Sequence, residues 1–351
     1  MSDFSIGDHP IGPDEPTFVI AEAGSNHNGD IETAKELIDV AADAGADAVK
    51  FQTFRAEDMY VEESGEAEYL EDERSLYEII EDMEMPYEWI PELYEYCKEQ
   101  GVCFMSTPFD ERSADELEAY VPAFKIASYT MSHHPFLEHL ASMDKPIIMS
   151  TGAHEMAEVA ESVDTLDSVG FDELVLLQCV AAYPTPLELI NVRVVETLRE
   201  EFGVPTGLSD HTLDPTTAPS TAVTLGASVV EKHFTLDKSM EGPDHQFALE
   251  PDELDVMVDA IRKTESVLGT GHKEVIEVEQ ELHDIARRRI HAARDINEGE
   301  IITEENIAVL RSGKREPGLK PKFYHEILGT TATTALGEND GISWDDISMD
   351  E

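Results

Sequence analysis

The chain alternates between short apolar runs and longer stretches whose apolar residues recur at helical spacing. The runs are FVIAEAG (18–24), AVKFQTF (48–54), VCFMSTPF (102–109), AFKIAS (123–128), PIIMSTG (146–152), LVLLQCV (174–180), PTGLSDH (205–211) and SVVEKHFT (228–235). Each has the length and the β-branched character of a buried strand. Stretches such as DIETAKELIDVAADAGA, WIPELYEYCKEQG and TAPSTAVTLGA lie between them and read as amphipathic helices with glycine near the end. Strand and helix alternating eight times over about 250 residues predict a (β/α)8 TIM barrel. An open doubly wound sheet uses the same units, but no run is followed by a G-x-G-x-x-G turn.

The periodicity also marks boundaries. The segment AEDMYVEES…DMEMPYE after the second run is long enough for a lid or insertion, and YTMSHHPFLEHLASMDK after the fourth suits a small helix. The pattern changes after IRKTESVLGTG. Residues 1–271 are therefore assigned to the barrel, 272–286 to a partly helical linker, and 287–351 to a second domain of about 65 residues with short strands, many turns and the triplet Arg287, Arg288, Arg289. No apolar run approaches the roughly 18 residues of a membrane span. The first residues, MSDFSIGDHPIGPDEP, lack the features of a secretion signal, so a cytoplasmic location is expected.

Charge narrows the partners. The chain has 76 acidic and 24 basic residues, a formal net charge of −52, spread along its whole length. Such a surface repels nucleic acid and anionic membranes. It is also expected of a protein working in concentrated salt, where screening removes the self-repulsion. Cys97, Cys103 and Cys179 are scattered and odd in number, which reads as reduced, mostly buried thiols. With lysine used so sparingly, any cation kept in an apolar run needs a reason.

Barrel strands present their C-terminal ends to one mouth. The ends here are Glu22; Lys50 with Gln52; Ser106 with Thr107; Lys125 with Ser128; Ser150 with Thr151; Tyr183; Ser209 with Asp210 and His211; and Glu231 with Lys232 and His233. A buried ammonium requires an anion. Lys50 and Lys125 therefore either pair with strand-end carboxylates or bind a ligand's phosphate and carboxylate among the hydroxyls of Thr107, Ser128, Ser150 and Ser209; a Schiff-base lysine is a further alternative. His211 and His233 close neighbouring strands and suit an open divalent-metal site completed by water and substrate oxygens. Glu22 either pairs with a lysine or addresses a sugar hydroxyl or proton, flanked by Asn26 and His27. Alternation along VEKHFT allows only one of Glu231 and Lys232 to share the face of His233, and both are read as structural partners.

The motifs FVIAEAGSNHNGDIETAKELIDVAADAGADAVKFQTF, STPFD, FKIAS, STGA, YPTP, GLSDHT and VEKHFT…GPDHQFAL, in this order, resemble the N-acetylneuraminate (sialic acid) synthase family with its legionaminate and pseudaminate synthases. The tail AARDINEGEIITEENIAVLR resembles the antifreeze-like SAF domain of that family. The resemblance implies condensation of phosphoenolpyruvate with N-acetylmannosamine or a related N-acetylated aldose, giving a nine-carbon 2-keto sugar acid and phosphate. It implies Mn2+ or Mg2+ at His211 and His233, a phosphoenolpyruvate site built from Lys50, Thr107, Lys125, Ser128, Ser150, Tyr183 and Ser209, and Glu22 and Asp244 facing the aldose and metal-bound water. It further implies a domain-swapped homodimer whose SAF domain offers an arginine to the partner's site; Arg311 is preferred to Arg315. One departure is Ala181, where the family commonly has a polar residue. The alternatives are a Schiff-base aldolase of 2-keto sugar acids and a non-catalytic carbohydrate-binding protein.

Overall fold

The computed structural model describes residues 4–62 and 75–348. Residues 63–74, part of the stretch read as a lid or insertion, lie outside them. The chain divides into two compact units, one running to Gly269 and the other beginning at Thr270.

The first unit is a (β/α)8 barrel. Its strands are β1 (Phe18–Gly24), β2 (Ala48–Thr53), β3 (Cys103–Pro108), β4 (Phe124–Ile126), β5 (Ile147–Ser150), β6 (Leu174–Cys179), β7 (Thr206–Asp210) and β8 (Val229–His233). They form one parallel sheet in the order β3-β2-β1-β8-β7-β6-β5-β4. Its two end strands, β3 and β4, lie side by side and complete the ring.

Residue alternation decides what each face holds. Phe18, Ile20, Ala48, Met105, Ala123, Ile148, Val175, Leu177 and Val229 form one apolar cluster inside the barrel, and Phe4, Ile6 and Ile11 of an N-terminal hairpin join it. Their neighbours in sequence, such as Val19, Val49, Phe51, Phe124, Leu176, Leu208 and Val230, pack outward against the helices. The helix Ile31–Asp43 illustrates the outer layer: Asp30 caps it by accepting the Glu32 N–H, and Ala34, Leu37, Ile38 and Ala41 make its buried face. At Gly207 a Cβ would stand 2.1 Å from the Val229 carbonyl oxygen, so only glycine lets β7 and β8 approach as they do. Inside the barrel the apolar layer gives way, two residues further along each strand, to Glu22, Lys50, Lys125, Ser150, Ser209 and Glu231. The site therefore begins where the apolar floor ends.

The second unit opens with short helical turns, Glu277–Glu279 and Gln280–Ile285. Antiparallel strands follow, Arg288–Ala292 with Ile307–Arg311 and Thr331–Ala332 with Ile347–Ser348, around a small core of Ile290, Ile296, Ile302, Ile327 and Ile342. Among the described residues, no helix is long and apolar enough to cross a membrane. Cys97, Cys103 and Cys179 are free thiols; Cys97 and Cys179 are buried and Cys103 is partly so.

Candidate active site

Four charges occupy the barrel interior just below its mouth. Lys50 Nζ lies 2.6 Å from Glu22 Oε2 and 3.7 Å from Glu231 Oε2, while Lys125 Nζ lies 3.6 Å from Glu231 Oε1. All four residues are buried. Hydroxyls continue the ring: Lys50 donates to Thr107 Oγ1 at 2.9 Å, Lys125 donates to Ser150 Oγ at 2.7 Å, and Ser209 Oγ donates to Glu231 Oε1 at 3.2 Å. Gln52 donates to the other oxygen of Glu22 at 3.0 Å.

Burial and pairing compete at each group. Burial drives the Glu22 carboxyl up from the ordinary carboxylate range, and the attraction of Lys50 offsets only part of that. Burial works in the same direction on Glu231, but Lys125 and then Lys50 outweigh it and hold that carboxyl low. Lys50 is held high against burial by Glu22 and Glu231, whereas burial wins at Lys125 and draws it down. Two carboxylates of one composition thus acquire different characters: Glu231 is a fixed anion and Glu22 a group able to carry a proton near neutrality.

The next layer holds the histidines. The rings of His211 and His233 lie 5.5 Å apart, with Tyr183 stacked 4.2 Å from His211 and Phe247 5.2 Å from His233. His211 Nδ1 is 2.8 Å from the Val180 carbonyl oxygen, which can only accept, so Nδ1 carries a proton and Nε2 is the nitrogen left for a metal; against burial, Cys179 and that carbonyl raise the basicity of the ring. His233 Nδ1 is buried with no hydrogen-bond partner, and burial holds its ring well below the usual histidine range. Asp244 Oδ2 stands 3.7 Å from that nitrogen, and burial raises the Asp244 carboxyl to about 6. Gly24, in the left-handed region at φ +56°, makes room for this approach, since a Cβ there would sit 3.2 Å from Asp244 Oδ2.

These donors fit a divalent ion: two imidazoles, each with a ring nitrogen that can bind a metal once it is deprotonated, the one on His233 orphaned, beside a carboxylate. Among the described residues no group of three or more His, Cys, Asp and Glu forms a protein cage. A two-histidine site leaves most coordination positions to water and substrate oxygens.

The expected residues are placed unequally. Glu22, Lys50, Gln52, Thr107, Lys125, Ser150, Ser209, His211, His233 and Asp244 come together at the mouth. Ser128 joins them at the end of β4, its Oγ accepting the Gly152 N–H at 2.9 Å, and Tyr183, 46% exposed, caps the histidines. Asn26 and His27 depart from the expectation that they flank Glu22. The Asn26 amide donates to the Phe234 carbonyl at 2.8 Å, and the His27 ring packs between Phe51 and Trp89 on the outer side of the wall. The reason is the turn after β1, which bends outward and commits both side chains to holding the loop. Arg311 ends a strand of the second unit and is exposed; Arg315 lies 3.8 Å from Asp340 there. Glu231, read from sequence as a structural partner, sits between the two lysines and pairs with both. Its signal was the alternation itself, which places it on the face of His233.

Residues 37–273 match the NeuB family, and residues 287–348 match the SAF domain. The chain belongs to the NeuB family. It is 43% identical to the spore coat polysaccharide biosynthesis protein SpsE of Bacillus subtilis, over 99% of this chain and 98% of that protein. It is 39% identical to the N,N'-diacetyllegionaminic acid synthase of Legionella pneumophila, over 97% of each. Among solved structures, the N-acetylneuraminic acid (sialic acid) synthetase of Leptospira borgpetersenii, in complex with citrate, superposes with a TM-score of 0.72 at 32% identity, covering 80% of this chain and 94% of that one. The NeuB match spans most of the barrel, including Lys50, Lys125, Glu231 and both histidines; Glu22 precedes its first residue.

Proposed function

We propose that this NeuB-family chain condenses phosphoenolpyruvate with the open-chain form of an N-acetylated aldose, giving a nine-carbon 2-keto sugar acid and inorganic phosphate. The observation that carries the reading is the buried pair Lys50 and Lys125, ringed by hydroxyls, directly below His211 and His233. A small, doubly anionic substrate needs fixed cations in a place closed to water, and an aldehyde needs an electrophilic partner above it. The chain is an enzyme of the sialic acid synthase type, in keeping with the legionaminic acid synthase and the sialic acid synthetase to which it is similar.

In this reading Lys50 and Lys125 hold the carboxylate and phosphate of phosphoenolpyruvate, with Thr107, Ser128, Ser150 and Ser209 completing the cradle. C3 attacks the aldehyde carbon, the aldehyde oxygen takes up a proton from solvent to become a hydroxyl, and positive charge develops at C2. Glu22, close to Lys50 and able to carry a proton, stabilises that charge and takes the proton from the water that adds to C2. The tetrahedral centre collapses with C–O cleavage and phosphate leaves. A manganese or magnesium ion at His211 and His233 would supply Lewis-acid polarisation of the aldehyde. Positioning of both substrates supplies the remainder of the rate. The reading includes a homodimer in which Arg311 of a second copy meets the acylamino group, working in a cytoplasm of concentrated salt.

The test is phosphate release from phosphoenolpyruvate with a panel of N-acetylated aldoses, in concentrated salt, with and without chelator. Release that requires both sugar and divalent ion is expected; none with any sugar plus Mn2+ overturns the reading. One observation favours a Schiff-base aldolase, the lowered basicity of buried Lys125. Borohydride with pyruvate inactivates such an enzyme and leaves the synthase intact.

A further inference from the structure

Lys232 is the buried cation that this chemistry does not use. It is 1% exposed, in a chain with only 24 basic residues, and it points away from the mouth. Its Nζ lies 2.5 Å from Asp210 Oδ2, donates to the Thr212 carbonyl at 2.6 Å and reaches Thr212 Oγ1 at 3.3 Å. Asp210 in turn accepts the Thr212 N–H at 2.9 Å and its hydroxyl at 3.2 Å. The two residues so gripped are the neighbours of His211, and the residue after Lys232 is His233.

The ladder explains why a grip is needed at this point. Pairing of β7 with β8 ends at Asp210 and Lys232, while β8 continues beside β1 with His233 opposite Glu22. His211 therefore lies just past the last rung that holds its strand against that of His233. From the mouth side His211 is held by its ring bond to the Val180 carbonyl and by the Thr185 N–H donating to its own carbonyl. Neither contact refers to β8. The Ser209–Glu231 hydrogen bond ties the two strands two residues before the histidines; among the described residues, the tie at the histidines themselves, past the last rung, is the ammonium behind the wall.

Energetics point the same way. A buried ion pair gives little stability over apolar residues of the same size. What it gives that methionine cannot is a directional hold on three oxygens. We infer that Lys232 is a positioning residue whose hold on Asp210 and Thr212 sets the separation of His211 and His233, and so the bite of the divalent-ion site. The inference rests on the metal reading proposed above.

The experiment measures Mn2+ binding by the metal-free full-length protein in concentrated salt, with H211A/H233A as the blank for surface carboxylates. Phosphoenolpyruvate binding without metal is measured in parallel. K232M leaves Asp210 buried without its partner, so the paired variant K232M/D210N, which leaves no orphan charge, is made beside it. Expected is a folded K232M/D210N that binds Mn2+ about 10- to 100-fold more weakly, the usual effect of losing support behind a metal ligand, with metal-free phosphoenolpyruvate binding unchanged. Wild-type Mn2+ affinity in that variant overturns the positioning role and leaves the metal site standing. Equal loss of both ligands also overturns it, by showing general disruption of the barrel. Wild-type protein that binds Mn2+ no better than H211A/H233A overturns the metal reading itself, and the inference with it.

Discussion

Replacing Glu231 by glutamine removes one charge from the interior and almost no volume. With all four groups ionised, Lys50, Lys125, Glu22 and Glu231 sum to zero in the wild type, and in E231Q the cluster carries one unpaired positive charge. Glu231 stands 3.7 Å from Lys50 and 3.6 Å from Lys125. At an effective dielectric near 20 each contact is worth roughly 4 to 5 kcal/mol. Relief of its repulsion with Glu22 and of its own desolvation offsets part of that. The net loss of stability expected for breaking one partner out of a buried network is roughly 3–5 kcal/mol. Adding K125M to E231Q restores neutrality and leaves the 2.6 Å pair of Lys50 with Glu22 intact. The double variant should therefore be more stable than E231Q alone, and within about 2 kcal/mol of wild type. Urea unfolding at constant high salt measures wild type, E231Q, K125M and the double variant. Inorganic phosphate should stabilise E231Q more than wild type, because an anion replaces the missing charge. If the two substitutions simply add, the four groups do not behave as one charge-balanced unit and the reasoning fails.

Other outcomes follow from single residues. Burial lowers His27 to about 4, below its value in the unfolded chain, so its contribution to stability is complete above about pH 6.5, declines as pH falls towards about 4, and amounts to about 3 kcal/mol. Unfolding free energies of wild type and H27Q across that range should diverge accordingly, and parallel curves would remove His27 as the cause. H233A should fold, lose metal-dependent phosphate release and lose Mn2+ binding; retained turnover would take His233 out of the site. R311A should raise KM for the aldose and leave phosphoenolpyruvate binding alone, whereas R315A, whose side chain lies by Asp340, should do neither; the opposite pattern would transfer the role to Arg315.

Much of the architecture is written in local patterns. Alternation and helical spacing are properties of neighbouring residues, so eight strands, their polar ends and the helices between them are visible without any long-range contact. So are Lys50 and Lys125, because an ammonium within an apolar run is costly wherever the run packs. Pairing is another matter. Glu22 meets Lys50 while Lys125 is left to Glu231 because the ring closes β1 against β8, bringing residues more than 200 positions apart into register. The same closure sends the Asn26 amide to Phe234 and draws Asn26 and His27 away from the mouth. In VEKHFT the alternation could say that Glu231 and Lys232 face opposite sides, but not which side was the inside. That was decided by Gly207, whose missing side chain lets β7 lie against β8, and by Asp210, which waits behind the wall for Lys232 and leaves Glu231 facing the lysines. Local periodicity sets which residues share a face; only closure of the barrel sets what that face meets.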